Sequence, residues 1–320
     1  MLTEYLSWRW CLYVNLLLAV PALIGALRLL HNQARETGAR IDLPGAVTSG
    51  AGLFALVYGL TKAQTDGWGA AVTLGFLAAA VVLLGVFAVL QRRSDHPLLP
   101  PRVVADRNRG GAYAAVLVVG AGMFGVFLFL TYYLQQTLGF SPIETGLAFL
   151  PMVAVLSASA AIAQTRILPR TGPRPLIALG MLIAGAGMAW LAQVGVDSTY
   201  AANVLFPLLV VGGGIGLTMA TAMNTATLGV KASDAGVAGA LVNTGQQIGV
   251  SIGTALLSTL AASAATAFIG HGPAAAAVHG YTTAFYWAAA IFAGGAVLCG
   301  LLLRGGVPEQ APAAELVMAH

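Results

Sequence analysis

Nine apolar stretches, each long enough to cross a bilayer, fill this chain almost from end to end. A helix rising about 1.5 Å per residue needs about 20 apolar residues to cross a hydrocarbon core about 30 Å thick. The expected spans are Trp10–Leu30, Leu43–Thr61, Ala70–Leu90, Ala112–Leu134, Thr145–Thr165, Leu176–Val196, Tyr200–Leu228, Val237–Ala261 and Tyr281–Leu303. Backbone groups in hydrocarbon must bond internally, which leaves helices or a closed barrel. The two-residue alternation of a barrel strand is absent over these lengths, so the expected fold is an all-α polytopic helical bundle. Charged residues make up 8% of the chain, against about 25% in a soluble domain, and the same conclusion follows.

The net charge of +4 would fit a nucleic-acid partner, but the placement of the cations excludes that reading. Arg28, Arg35 and Arg40 follow the first span; Arg92, Arg93, Arg102, Arg107 and Arg109 follow the third. Arg166, Arg170 and Arg174 follow the fifth, Lys231 the seventh and Arg304 the ninth; only Arg9 and Lys62 fall at the other ends. Cytoplasmic connections retain Lys and Arg, so the pattern predicts an N-terminus outside, a C-terminus inside and a multi-pass protein of the cell membrane. The first apolar stretch is too long for a cleavable signal peptide and lacks a basic leader. Cys11 and Cys299 both sit inside spans, so neither a disulfide framework nor a metal site is expected.

The loop from Arg92 to Gly111, with Pro97, Pro100 and Pro101, is the clearest internal boundary. The second and third spans, joined by a few residues around Asp66–Gly69, read as one helical hairpin. The expected organisation is residues 1–30, an outer loop and first helix; 31–91, the hairpin; 92–111, a cytoplasmic Arg/Pro loop; 112–304, six helices; and 305–320, a disordered tail.

Polar residues inside spans carry the functional signal, because each needs a partner or a cavity in hydrocarbon. Asn15 is one, in a first span entered through Trp8 and Trp10, rings that suit a membrane interface. The segment Ala235–Ala261 is richer: Gly245, Gly249 and Gly253 form one narrow helical row, with Asn243, Gln246 and Gln247 on the adjoining face. Those amides either bond neighbouring helices or line a polar cavity. Gln135 and Gln136 end the fourth span and either cap a loop or face a substrate path, and Pro142 starts the next helix. Pro21, Pro151 and Pro207 lie within spans, where neighbours or a cavity must satisfy the freed carbonyls. Gly212, Gly213, Gly214 and Gly216 read as tight packing or a flexible gate, followed by Thr218, Thr221, Asn224 and Thr225. Arg166, Arg170 and Arg174 surround Gly172, and charge retention or a gating loop explains them equally well.

With these segments in order, SWRWCLYVN, DLPGAVTSGAGLFALVYGLTKA, HPLLPPRV, YYLQQTLGFSPIETGLAFLP and GALVNTGQQIGVSIGTALLSTL, the chain resembles the fourteen-span drug/proton antiporter branch of the major facilitator superfamily. The resemblance covers roughly Thr3 to Arg304, and an inserted two-helix hairpin between six-helix halves marks that branch. Leu12 and Leu17 stand where the branch usually has Phe and Pro, and the arginine loop lacks the usual Gly-x-x-x-Asp opening. The first five helices of the resembled fold, with its antiporter motif, have no counterpart here.

The resemblance implies the C-terminal part of a major facilitator fold, with residues 1–30 as the outer loop and last helix of the N-terminal half, 112–304 as the C-terminal six-helix half and 305–320 as a cytoplasmic tail, and a proton-coupled exporter of small amphipathic compounds. Asn15, Gln135, Gln136, Asn224, Asn243, Gln246 and Gln247 would line the substrate path, and Arg166, Arg170, Gly172 and Arg174 would form a cytoplasmic gating loop. Every Asp, Glu and His falls in a loop, a span end or the tail, so the proton-handling groups are expected in a separate or upstream-encoded N-terminal half. The partners implied are the bilayer, the substrate, protons in the full transporter and that half; no cofactor, metal, catalytic residue or nucleic acid is. Two other readings are a vestigial or structural membrane fragment without transport and a multi-span membrane transferase. The latter needs an acid or His cluster at one face, and only Asp95 with His96 comes near.

Overall fold

The computed structural model describes residues 9–29, 42–94, 97–231 and 234–306. Trp8, Arg35, Arg40, the Asp95–His96 pair, the remaining terminal acids and histidines, the tail from residue 307 onward and the side chains of Cys11 and Leu12 lie outside the described residues.

The main helices are α1 (Arg9–Leu29), α2 (Leu43–Thr65), α3 (Ala71–Arg93), the short α4 (Pro101–Ala105), α5 (Arg107–Tyr132), α6 (Pro142–Ile162), α7 (Pro173–Leu191), α8 (Leu205–Thr227), α9 (Ala235–Ala267) and α10 (Pro273–Leu302). Among the described residues there is no strand. Among the described residues eight helical runs are long and apolar enough to cross a membrane, against nine expected stretches; in the first, α1, the apolar part is the shorter Tyr13–Leu29. Helix ends differ from the sequence reading by a few residues: polar and proline-led turns extend most helices beyond their apolar stretches, while α7 stops at Leu191, short of the expected Val196. The largest difference is α10, which begins at Pro273 and so takes His279 into its second turn.

Local signals set the boundaries. Ser141 and Glu144 form a reciprocal capping box, with Ser141 N donating to Glu144 Oε2 at 2.8 Å and Glu144 N to Ser141 Oγ at 3.2 Å. Gly172, at φ +76°, reverses the chain between α6 and α7, a backbone conformation that disfavours any residue with a Cβ. Single π-turns precede two prolines: Ala163–Ile167 before Pro169 and Tyr200–Val204 before Pro207. Neither proline can donate to the carbonyl four residues earlier, so the helix widens by one residue at that point. Around Pro151 the helix is continuous.

Helices α5 to α10 share one core, with Leu130 of α5, Tyr133 in the turn that follows it, Ile177 and Met181 of α7, Leu208 and Ile215 of α8 and Phe285 and Phe292 of α10 all fully buried. Their packing repeats itself. Exchanging α5 with α8, α6 with α9 and α7 with α10 maps the contact of α5 on α9 onto that of α8 on α6, and α5 on α10 onto α8 on α7. Successive spans alternate in direction, so the two three-helix units run oppositely, as inverted repeats do.

Apolar side chains gain little from burial against other helices when the alternative is lipid, so close backbone approach carries the association. Gly249 and Gly253 set α9 directly on α5, against the carbonyls of Leu117 and Ala121, while Gly120 of α5 meets the Gln246 carbonyl. In the matching position, Gly212 and Gly216 set α8 on Met152 and Leu156 of α6, and Gly214 meets Gly180 and Ala184 of α7. The glycine run in α8 is therefore a three-way packing joint.

Helices α2 and α3 pack on each other, and α2 lies along α9. Trp68 Nε1 donates to Thr259 Oγ1 at 3.3 Å at one end. At the arginine-bearing end Arg102 Nε and Nη2 each donate to Asp234 at 3.1 Å. Nearly every described side chain of α1 is exposed.

Candidate functional site

The amides of α9 divide between two surroundings. Asn243 and Gln247, one turn apart, line a pocket of about 360 Å³ with Leu53 and Val57 of α2 and Ala240, Thr244 and Ile248 of α9. Gln246 is half-buried and is not part of that lining; its carbonyl lies on the α5 side, at Gly120. The split follows from helix geometry, since residues four apart share a face and a step of one residue turns by about 100°. The pocket is amide-rimmed on α9 and apolar on α2, with neither metal ligands nor a nucleophile–base pair in its lining.

The other polar candidates lie elsewhere. Gln135 and Gln136 sit in the π-turn Tyr133–Thr137 that ends α5, far along the bundle from its arginine-bearing start. The Oε1 of Gln136 accepts from the Tyr281 hydroxyl at 2.9 Å, tying α5 to α10. Asn224, half-buried, lies near the opposite end, in the last turns of α8. Thr218, Thr221 and Thr225 donate their hydroxyls to carbonyls four residues earlier on the same helix, which leaves them little capacity for a ligand. Asn15 is exposed on α1. The seven sequence candidates therefore form no single cluster, and Asn243 with Gln247 is the pair that a cavity joins.

Arg166, Arg170 and Arg174 are exposed around the buried Gly172 at the turn from α6 to α7. A second polar hollow of about 360 Å³ lies at the same end, lined by Asp106, Asn108, Arg109 and Arg304 among others. It is an extension of helix capping: Asp106 Oδ1 accepts from Arg109 N at 2.9 Å, Asn108 Oδ1 from Arg304 N at 2.8 Å, and Arg107 donates to the carbonyls of Leu301 and Leu302 at the end of α10.

Two polar residues escaped the sequence reading. Gln91 donates through Nε2 to Asp42 Oδ2 at 2.6 Å and accepts from Leu99 N at 2.8 Å through Oε1, closing the base of the hairpin. Gln164 donates to the Ala220 carbonyl at 2.5 Å, joining α6 to α8. An amide within an apolar helix was the available signal for both. The Gln91 hydrogen bond, then the Gly45 backbone N–H, hold the Asp42 carboxyl below the usual carboxylate range.

Titratable groups keep to the ends of the helices. Among the described residues, Asp42, Asp66, Asp106, Glu144, Asp197 and Asp234 occupy first turns, caps or connections. His271 and His279 flank Phe268 in a stack with ring separations of 4.0 and 4.4 Å at the start of α10. No group of three or more His, Cys, Asp or Glu that could hold a metal is found among the described residues.

A bundle of inverted three-helix units, glycine-packed, with an open, amide-rimmed hollow between α9 and α2 and its described acids at the helix ends, defines a polytopic membrane protein of the transporter type. The Major Facilitator Superfamily profile matches residues 1–254, and the chain belongs to that superfamily. Its relatives include the puromycin resistance protein pur8 of Streptomyces alboniger, 43% identical over 311 residues, which cover 95% of this chain and 62% of the relative. The cephamycin export protein CmcT of Amycolatopsis lactamdurans is 35% identical over 264 residues, 82% of this chain and 54% of that protein. The tetracenomycin C resistance and export protein of Streptomyces glaucescens is 30% identical over 264 residues, 82% and 49% respectively. The chain thus spans less than two thirds of each of these relatives.

Proposed function

We propose that this chain is the C-terminal portion of a proton-coupled exporter of small amphipathic compounds in the cell membrane, with its arginine-bearing loops in the cytoplasm. The observation that carries the proposal is the Asn243–Gln247 pocket: two exposed amides one turn apart on α9, facing an apolar wall of α2 across an open hollow. Such a lining suits ligands that combine an apolar body with a few hydrogen-bonding groups. Membership in the superfamily, with relatives named for antibiotic resistance and export, supports the direction of transport.

The chain works with an N-terminal half, on the same or another polypeptide, which supplies the proton-handling groups. Rocking of two halves about a central cavity requires both, and the acids described here lie at helix ends. The role is transport, not catalysis. The test is efflux of a fluorescent amphipathic cation from cells expressing a complete transporter that contains these residues. Gln247→Ala should slow that efflux; unaltered efflux and substrate range would refute the site. Vesicles holding only the 320 residues should not pump, and proton-driven efflux from them would overturn the requirement for a second half.

A further inference from the structure

Beside the Asn243–Gln247 pocket, and sharing Leu53, Ala240, Thr244 and Ile248 with it, an apolar groove of about 470 Å³ runs between α2, α3 and α9. Through Phe87 and Leu99 it continues into a hollow of about 410 Å³ at the arginine-bearing end of α3, where Arg92 joins the lining. Leu98 in the lining of the groove and Val104 in that of the hollow are both more than two-fifths exposed, so the apolar lining is open at this end. Its mouth thus lies beside Arg92 in the last turn of the apolar helix α3, the level at which a membrane helix meets headgroups.

We infer that this groove holds one anionic phospholipid of the leaflet facing the arginine-bearing end, with an acyl chain along Leu84 and Phe87 and its phosphate at Arg92 and Arg93. The charges at the mouth decide for an anion. Arg102 is balanced by Asp234, and Asp42 is bonded to Gln91, while Arg92 and Arg93 are exposed on the last turn of α3. Neither is in an ion pair among the described residues. Basic pockets between membrane helices on the cytoplasmic side select anionic headgroups in this way. An acyl chain also explains how a wide apolar groove persists between two well-packed units: lipid fills it where side chains do not.

The inference stands apart from the transport reading, since it concerns lipid selectivity alone. The test is native mass spectrometry of the purified chain titrated with phosphatidylglycerol or phosphatidylcholine bearing the same acyl chains. Phosphatidylglycerol should bind more tightly, by about fivefold for each arginine engaged. Arg92→Gln with Arg93→Gln should bring it to the level of phosphatidylcholine. Ala240→Phe, which fills the groove and leaves both arginines in place, should weaken both lipids; glycerol phosphate, without chains, should not bind. Equal binding of the two lipids by the unaltered chain, or unchanged selectivity in the double arginine variant, would overturn the inference. So would a dimer of the chain that excludes lipid. The arginines are exposed, so their variant decides the matter even if Ala240→Phe fails to fold.

Discussion

Arg102 and Asp234 clasp the connector after the hairpin to the first turn of α9, with two guanidinium nitrogens each 3.1 Å from the carboxylate. The pair is asymmetric: the arginine side chain is 60% exposed and the aspartate 8%. Losing the arginine deprives a buried carboxylate of charge-assisted bonds, whereas losing the aspartate frees a guanidinium that water can solvate. Arg102→Ala should therefore lower stability by about 1–2 kcal/mol, and Asp234→Ala by less. Thermal unfolding of the two variants in detergent measures the difference, and a larger loss for Asp234→Ala would reverse the assignment.

The glycine row of α9 makes a graded prediction. A methyl at Gly249 would overlap the Leu117 carbonyl, and one at Gly253 would overlap that of Ala121. A methyl at Gly245 would lie 3.7 Å from the Tyr113 carbonyl, in ordinary contact. Gly249→Ala should cost about 1–3 kcal/mol through forced separation of α5 and α9. Gly245→Ala should be neutral or stabilise the helix by up to about 1 kcal/mol. Equal unfolding midpoints for the two variants would show that α9 does not seat on α5 through these residues.

Much of this was legible in the sequence, and for identifiable reasons. Span length is a one-dimensional signal, so the helices emerge with shifted ends, and the first keeps only a shorter apolar part, Tyr13–Leu29. The row of Gly245, Gly249 and Gly253 follows from helical periodicity alone. Which helix meets that row does not, because α5 lies more than a hundred residues earlier in the chain. The amides show the same limit. Asn243, Gln246 and Gln247 are equivalent as composition, yet the position of α2 turns two of them into pocket lining and leaves the third beside α5. Gln136 looked like a loop cap or a substrate contact until Tyr281 supplied its donor.

The hairpin base should respond to pH. Asp42 is held below the usual carboxylate range by Gln91 and the Gly45 N–H. A depressed folded-state value means that the ionised form is favoured by folding. The contribution is then complete above the ordinary carboxylate pKa and is lost as pH falls through the lowered folded value. The protection of the Gly45 and Leu99 amides, both bonded into this network, should fall as the solution is acidified toward that range, read as hydrogen-exchange rates relative to the intrinsic rate at each pH. In Gln91→Leu the Asp42 carboxyl should titrate closer to its ordinary value. Its Gly45 amide should begin to lose protection at higher pH than in the unaltered chain, and an unchanged profile would remove Gln91 as the cause.

The division of the amides yields the most direct test of the proposed substrate pocket. Asn243 and Gln247 face a common cavity with Leu53 and Val57, while Gln246 is absent from its lining. A hydrogen bond to a bound compound contributes about 0.5–1.5 kcal/mol, and 1.4 kcal/mol corresponds to about a tenfold change in affinity. In a complete transporter containing these residues, Asn243→Ala or Gln247→Ala should each raise the substrate concentration for half-maximal efflux by roughly three- to tenfold. Gln246→Ala should change it by less than about twofold, although any loss of packing would lower the amount of protein in the membrane. Comparing concentration dependence at matched membrane levels separates the two effects. If Gln246→Ala impairs affinity as much as Gln247→Ala, the substrate contacts the α5 side of α9, and the pocket against the hairpin is not the binding surface.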